Sequence, residues 1–188
     1  MERVDIIKSL ECELKTICEK PQNKFGMGLY DHIVAVVKNG EFLAEQYCAD
    51  KEVVSIASWL HDIASATDYS LYKNHHIHGA EIAYDILTKF NYDEDKIVLV
   101  QNCIRNHRGS VKSERSTIEE ICVADADAVS HFDSIPSLLF LEYAIRNNGY
   151  IEGKEFVRTK LERSFAKLSD RSKELYKDKY NNAMNFLK

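Results

Sequence analysis

Apolar residues recur at spacings of three and four along nearly the whole chain, and this spacing predicts α-helices. Strand-type alternation is nearly absent, and only two prolines and seven glycines occur. We therefore predict an all-α fold, a compact bundle of many helices. The predicted helices cover residues 2–19, 30–48, 51–63, 74–89, 93 to the glycine loop at 108–110, 117–132, 136–147, 153–167 and 171–187.

Some of these helices carry a start signal. Asn74 and Asp93 stand where an N-cap acceptor is expected. The run Ser116-Thr117-Ile118-Glu119 indicates a capping box that opens the helix over 117–132. The region 153–188 is amphipathic and rich in lysine and glutamate, which favours packing helices with a solvated face over a partner-binding surface.

The bulk composition is that of a soluble globular protein. With 188 residues, 45% apolar and 29% charged, we expect one domain over 1–188, with a motif core at about 25–133 and C-terminal helices, 136–188, packed on it. The net charge of −5 argues against an extended nucleic-acid surface. The five cysteines lack a C-x-x-C spacing, so free thiols are expected. Without an apolar leader or a membrane-length run, we expect a cytoplasmic protein.

The most informative candidate metal ligands are His61 and Asp62, which directly follow the apolar segment 53–60. His32 lies upstream, and Asp125 and Asp127 lie downstream in a stretch that is otherwise nearly apolar. Each element alone has a simpler explanation, such as helix capping or the helix dipole. A buried carboxylate nevertheless needs a partner, and neutral imidazoles with carboxylates are the ligands of a divalent cation.

The order His, His-Asp, Asp on three helices resembles the HD-domain superfamily of metal-dependent phosphohydrolases. The resemblance covers roughly residues 25–133, and two accessory stretches at 75–83 and 104–109 are also similar to the family. It implies that a metal is held by four ligands: His32, His61, Asp62 and Asp127. The helical wheel slightly favours Asp125 over Asp127, whereas the family register selects Asp127, and we adopt Asp127.

The resemblance also implies the reaction. A metal-activated water would cleave a phosphomonoester or phosphodiester of a small molecule, such as a nucleotide. The mixed nitrogen and oxygen ligands without thiolate suit Mn, Fe, Co, Ni or Mg, with one ion favoured and a second not excluded. His75 and His107 would either bind that second ion or take a catalytic role beside the substrate. Arg108 stands where phosphodiesterases of the family often have a further histidine.

Other candidate residues are assigned by chemistry alone. Many relatives carry a lysine or glutamate soon after the His-Asp pair, but this chain has Ser65, so Asp68 becomes the candidate proton carrier. Lys73, Arg105 and Arg108 are candidates for phosphate contact, and their alternative is an ordinary solvated charge. We expect the walls of a substrate pocket in 65–74 and 108–116.

Two other functions stay open from the sequence. Four histidines and two aspartates also suit the dinuclear-iron oxygenases that share the HD fold. A catalytically silent domain that binds a metal or a nucleotide is the third candidate. His76, His78 and His131 are expected outside the first ligand set. The expected partner is a small phosphorylated substrate, without a membrane, and family analogy leaves a homodimer open.

Overall fold

A computed structural model describes residues 5–108 and 115–188, and every regular element within these ranges is helical. The all-α prediction is therefore confirmed. The first part of the helix predicted over 2–19 and most of the loop around residue 110 lie outside the described ranges. The α-helices are α1 (Ile6–Cys18), α2 (Met27–Tyr47), α3 (Lys51–Leu60), α4 (Ile63–Thr67), α5 (His75–Lys89), α6 (Glu94–Asn106), α7 (Ile118–Asp133), α8 (Ile135–Phe140), α9 (Tyr150–Ala166) and α10 (Asp170–Phe186).

Two of the predicted helices are divided into shorter elements in the structure. The helix predicted over 51–63 breaks at the His-Asp pair into α3 and α4, and a 3-10 helix, Tyr69–Asn74, follows. This 3-10 helix runs directly into α5, so the Asn74 side chain makes no capping bond and the predicted cap there is wrong. Similarly, the segment predicted over 136–147 is α8 followed by a short π-helix, Leu141–Ile145.

Two start signals act through side-chain hydrogen bonds. Asp93 accepts from the backbone N–H of Lys96, which confirms the predicted cap of α6. The capping box of α7 lies one residue later than predicted, because Thr117 accepts from the N–H of Glu120. The Glu120 carboxylate in turn accepts from the N–H of Ser116, the residue before the cap.

The core is centred on α2, which packs against α3 and, most extensively, α7. Gly40 permits the close approach of α2 and α3, because a Cβ there would lie 2.8 Å from Ser58 Oγ. Three of the five cysteines, Cys18, Cys103 and Cys122, are buried, and all five are free thiols as predicted. These helix packings fix the positions of the helix ends that carry the site.

The two C-terminal helices lie against this core. α9 packs on α7, α8 and the π-helix, and α10 packs on α7 and α9. Val157 and Leu161 of α9 are completely buried against the rest of the bundle. Among the described helices, none combines the length and apolar character that a membrane span needs.

Candidate metal centre

Six metal-ligating side chains converge where several helices end. His61 and Asp62 occupy the break between α3 and α4, His75 begins α5, and His107 directly follows α6. The other two lie inside helices, His32 on α2 and Asp127 on α7. The Asp62 side chain makes no bond to the N-terminus of α4, so its carboxylate is left to face the site.

The first of two donor triads consists of His32, His61 and Asp127, whose ligand atoms lie within 4.8 Å of one another. The Nε2 atoms of His32 and His61 are 3.4 Å apart. Asp127 Oδ1 lies 3.5 Å from His32 Nε2. Donor atoms at these separations can surround one divalent ion.

The second triad consists of Asp62, His75 and His107, with ligand atoms inside the same distance limit. His75 Nε2 lies 3.2 Å from His107 Nε2 and 3.3 Å from Asp62 Oδ1. The other carboxylate oxygen, Asp62 Oδ2, lies 3.5 Å from His61 Nε2. Asp62 thus faces both triads with one oxygen each, which is the arrangement of a bridging carboxylate.

Hydrogen bonds at Nδ1 fix which nitrogen each imidazole offers. The Nδ1 atoms of His61, His75 and His107 each contact the carbonyl oxygen three residues earlier in the chain, at 2.7, 2.8 and 2.7 Å. In His32, Nδ1 lies 3.0 Å from Ser130 Oγ, which itself donates to the Asp127 carbonyl. A carbonyl can only accept, so Nδ1 carries the proton and Nε2 presents its lone pair.

The orientation of the imidazole rings indicates whether these residues suit a metal ion. Two pairs of Nε2 lone pairs face each other, His32 with His61 and His75 with His107. Two facing acceptors repel unless a cation or a proton lies between them. Outer hydrogen bonds that fix the imidazole tautomer are typical of metal sites. The donor set therefore fits divalent metal.

The charges of the metal-free cluster are strongly coupled. Burial opposes a charge on His61, but the adjacent Asp62 carboxylate outweighs burial and raises the His61 pKa to about 9. In the other direction, His61 and His75 overcome burial and hold the Asp62 pKa far below its usual range. Burial, together with the charge of His61, lowers the His107 pKa to about 3, so this imidazole is neutral at physiological pH.

The two aspartates of α7 have separate environments. Asp127 faces the site, and its second oxygen, Oδ2, accepts from Lys167 Nζ at 3.0 Å. Asp125 is completely buried and accepts from the backbone N–H and the hydroxyl of Ser169 at the start of α10. The structure thus brings Asp127, rather than Asp125, to the histidines.

His131 is closer to the site than the sequence indicated. We expected it at the periphery, but its ring stacks on His32 with centroids 5.2 Å apart. Its Nδ1 contacts Ser164 Oγ at 2.9 Å, and its Nε2 lies 3.8 Å from Asp127 Oδ1. His131 lies one helical turn after Asp127, and its ring packs against His32 and beside the Asp127 carboxylate.

A cavity of about 890 Å³ opens beside the donors, and α9 forms one of its walls. Arg108 also lines the cavity and donates to the Lys73 carbonyl oxygen. Three cations on α9 and directly after it were not predicted as part of the site: Lys160, Arg163 and Lys167. The same lining includes the carboxylates of Glu152 and Glu155. The spacing of three and four between the cations would have shown that they share a helix face, but not that this face covers the site.

Three candidate residues lie away from the cavity wall. The exposed Asp68 carboxylate caps the 3-10 helix by accepting from the Ser70 N–H at 2.8 Å, so the structure does not place it as a proton carrier. Neither Lys73 nor Arg105 lines the cavity, and both are exposed. In the expected wall 108–116, residues 109–114 lie outside the described ranges.

The described helices bring together two His/Asp triads, and each triad could hold a divalent metal ion. A model of the HD domain matches residues 29–131, more than half of the chain. The chain therefore belongs to the HD-domain family, which confirms the resemblance drawn from the sequence. The family match and the triads together support a metal-dependent hydrolase of the HD superfamily.

Curated relatives share the motif region. Ribonuclease Y of Clostridium kluyveri is 31% identical over 111 residues, which are 59% of this chain and 20% of that protein. Ribonuclease Y of Clostridium tetani is 32% identical over 111 residues, 59% of this chain and 19% of that protein. The chain thus spans about a fifth of the length of these relatives.

Solved structures share the fold along the whole chain. Bacillus subtilis YpgQ superposes with a TM-score of 0.73 at 17% identity, covering 100% of this chain and 94% of that one. A predicted HD superfamily hydrolase from an uncultured Thermotogales bacterium gives 0.64 at 18% identity, covering 100% and 92%. The structure of Bacillus subtilis YpgQ in complex with ADP gives 0.66 at 18% identity, covering 94% and 93%.

Proposed function

We propose that this protein is a phosphohydrolase that cleaves a phosphomonoester or phosphodiester of a small molecule, such as a nucleotide. The observation that carries the proposal is the meeting of two His/Asp triads with a cavity whose lining carries four cations, Arg108, Lys160, Arg163 and Lys167, beside the carboxylates of Glu152 and Glu155. Bound metal ions and cationic side chains on one cavity would attract an anionic ester and hold it beside the triads. The ADP complex of Bacillus subtilis YpgQ supports a small phosphorylated ligand for this fold.

The triads have distinct tasks in this proposal. His32, His61 and Asp127 would hold one ion, and Asp62, His75 and His107 would hold a second. The sequence favoured a single ion, but the separation of the donors into two triads supports two. A divalent ion at such a site lowers the pKa of a bound water and polarises a phosphoryl oxygen.

The cations on the cavity wall provide the contacts to phosphate. Lys160 and Arg163 of α9 line the cavity, and so does Arg108. Guanidinium and ammonium groups form charge-assisted hydrogen bonds with phosphate oxygens. Lys167 is partly neutralised by Asp127, so it contributes less to binding and more to holding that carboxylate in place.

The test compares metal-loaded wild-type protein with the Asp62→Ala variant. We expect hydrolysis of phosphomonoesters or phosphodiesters by the wild type with Mn²⁺, Co²⁺, Ni²⁺ or Mg²⁺, measured as phosphate or alcohol release. Asp62→Ala should lose at least about a hundredfold in rate, because one carboxylate serves both triads. Asp31→Asn, an exposed neighbour of His32, is the control and should keep its activity. A metal-loaded wild type that hydrolyses no ester would contradict the proposal.

A second candidate is a dinuclear-iron oxygenase. The second triad favours it, because His75 and His107 complete a six-donor set that could hold two irons. The distinguishing measurements are iron content and oxygen uptake. About two irons per chain, with oxygen consumption in the presence of an organic phosphate, would support the oxygenase, whereas ester hydrolysis without oxygen supports the phosphohydrolase.

A further inference from the structure

A second cavity of about 120 Å³ adjoins the metal donors and differs from the large one in chemistry. The two cavities share His32, Asp62, Tyr72, His131 and Lys160, so both open onto the same donors. The walls of the small cavity, here called the side pocket, are mainly apolar. They include Phe25, Leu29, Leu138, Phe140, Leu141 and Ile145.

Aromatic contacts hold one wall of the side pocket in place. The Tyr72 ring stacks on His75, with centroids 5.9 Å apart and an interplanar angle of 18°. Phe25 contacts the Tyr72 ring at 5.4 Å between centroids, and Tyr69 stacks on it at 5.8 Å. A ring held on several sides is a rigid surface against which a planar group can lie.

Another part of the lining comes from a rare element. Leu141 and Ile145 lie on the π-helix that follows α8, and both line the side pocket. π-helical turns are rare and occur frequently at functional sites. The buried Glu142 carboxylate fixes this turn, because it accepts from Arg146 and Asn148.

A buried hydroxyl borders the side pocket without a hydrogen-bond partner. Ser65 is 4% exposed, and its Oγ has no partner among the described residues. Ser65 also lines a separate groove, which residues of α1 line as well. Buried hydroxyls are nearly always paired, so an unpaired one beside a cavity indicates a place for a ligand atom.

We propose that the side pocket receives a single planar ring attached to the phosphoryl group of the substrate, and that Ser65 hydrogen-bonds a polar atom on the edge of this ring. The proposal rests on the proposed function, since the phosphoryl group has to lie at the triads. A cavity of roughly 150 Å³ holds one benzene. A pocket of about 120 Å³ therefore admits one ring and excludes two fused rings.

The test measures binding of phosphonates to the metal-loaded protein by calorimetry, because phosphonates are not hydrolysed. Methylphosphonate has no ring, phenylphosphonate has one and 1-naphthylphosphonate has two. We expect phenylphosphonate to bind at least about tenfold more tightly than methylphosphonate, because the ring buries apolar surface. The naphthyl compound should bind no more tightly than methylphosphonate.

Two pairs of variants locate the effect. Leu138→Trp fills the side pocket and should abolish the advantage of phenylphosphonate while methylphosphonate binds as before, and Leu175→Trp, on an exposed face of α10, should change neither. If Ser65 bonds a polar atom on the ring edge, 4-hydroxyphenylphosphonate should bind the wild type more tightly than phenylphosphonate. Ser65→Ala should remove this difference in affinity. Ser9→Ala, which borders only the groove beside α1, should keep it.

The outcomes separate the two proposals. If methylphosphonate does not bind to the metal-loaded wild type, the phosphohydrolase proposal fails. If methylphosphonate binds but phenylphosphonate gains nothing, or naphthyl and phenyl compounds bind equally, the side pocket does not select a single ring. Retention of the phenyl advantage in Leu138→Trp, or an equal loss in Ser65→Ala and Ser9→Ala, would also overturn the assignment.

Discussion

Three of the four histidines in the two triads, His61, His75 and His107, are oriented by a bond that the chain makes locally. At His61 and His107 the helix has just ended, so the carbonyl oxygens of its last turn have no helical N–H to accept from. One of these free carbonyls accepts from Nδ1 of the histidine three residues later. A histidine at a helix C-terminus therefore presents Nε2 outward without help from another part of the chain.

The aspartates of α7 give a matched pair of variants. Asp127→Asn should reduce bound metal severalfold, because it removes an anionic ligand of the first triad. Asp125→Asn should keep the metal but lower the free energy of unfolding by about 1–3 kcal/mol, because charge-assisted bonds from Ser169 are weakened. Elemental analysis and urea denaturation measure the two effects. Loss of metal in Asp125→Asn with retention in Asp127→Asn would reverse the assignment.

The raised pKa of His61 predicts a pH dependence of metal binding. In the metal-free protein, Asp62 keeps His61 protonated up to a pKa of about 9, and a metal needs the deprotonated Nε2. Metal binding at pH 7 should therefore release about one proton from His61, and affinity should rise with pH until about 9. Calorimetry in two buffers of different ionisation enthalpy counts the protons. Asp68→Asn should release the same number, and a value of zero in the wild type would contradict the prediction.

At the scale of elements, the break between α3 and α4 and the position of α9 decide the site. A continuous helix over 51–63 would direct His61 and Asp62 to different faces, since neighbouring residues are about 100° apart around a helix. The break lets both side chains face the same donors. α9 then closes the cavity with a charged face that carries Lys160 and Arg163 together with Glu152 and Glu155. The spacing of these residues resembles that of an ordinary solvated helix.

The position of Lys160 on the cavity side of α9 predicts a change in substrate affinity rather than in metal content. Lys160→Gln should raise KM for a phosphate ester by about tenfold, because a charge-assisted hydrogen bond contributes roughly 1.5–3 kcal/mol. Steady-state kinetics and elemental analysis check both parts. Arg158→Gln is the control on the same helix, since Arg158 is exposed and pairs with Glu162. An equal change in both variants would show a general effect of charge instead.

At the scale of the whole molecule, the two triads connect separate parts of the bundle. Their ligands come from α2, the α3–α4 break, α5, the end of α6 and α7. The metal-free cluster brings lone pairs and carboxylates together, which costs free energy. A bound ion removes this cost only while all these helices keep their places, so metal binding and folding are coupled.

This coupling predicts a higher melting temperature with metal. At a free ion concentration one hundred times Kd, one bound ion stabilises the folded protein by about 2.7 kcal/mol. For a chain of this size that corresponds to an increase of roughly 5–10 °C in Tm. Differential scanning calorimetry with and without Mn²⁺ measures the increase, and Asp62→Ala should show none. The same increase in that variant would mean that the ion binds elsewhere.

The sequence by itself determined the helical fold and the candidate donors. Apolar periodicity is a local property, and the order of His32, His61-Asp62 and the α7 aspartates is visible without coordinates. Only the tertiary structure decided which aspartate faces the histidines, because residues 122–132 of α7 are all buried and its helical wheel, which discriminates poorly there, slightly favoured Asp125. The same holds for Lys167, which meets Asp127 across 40 residues of chain. Contacts between distant segments depend on how helices pack against one another. The spacing of apolar residues within one segment does not determine that packing.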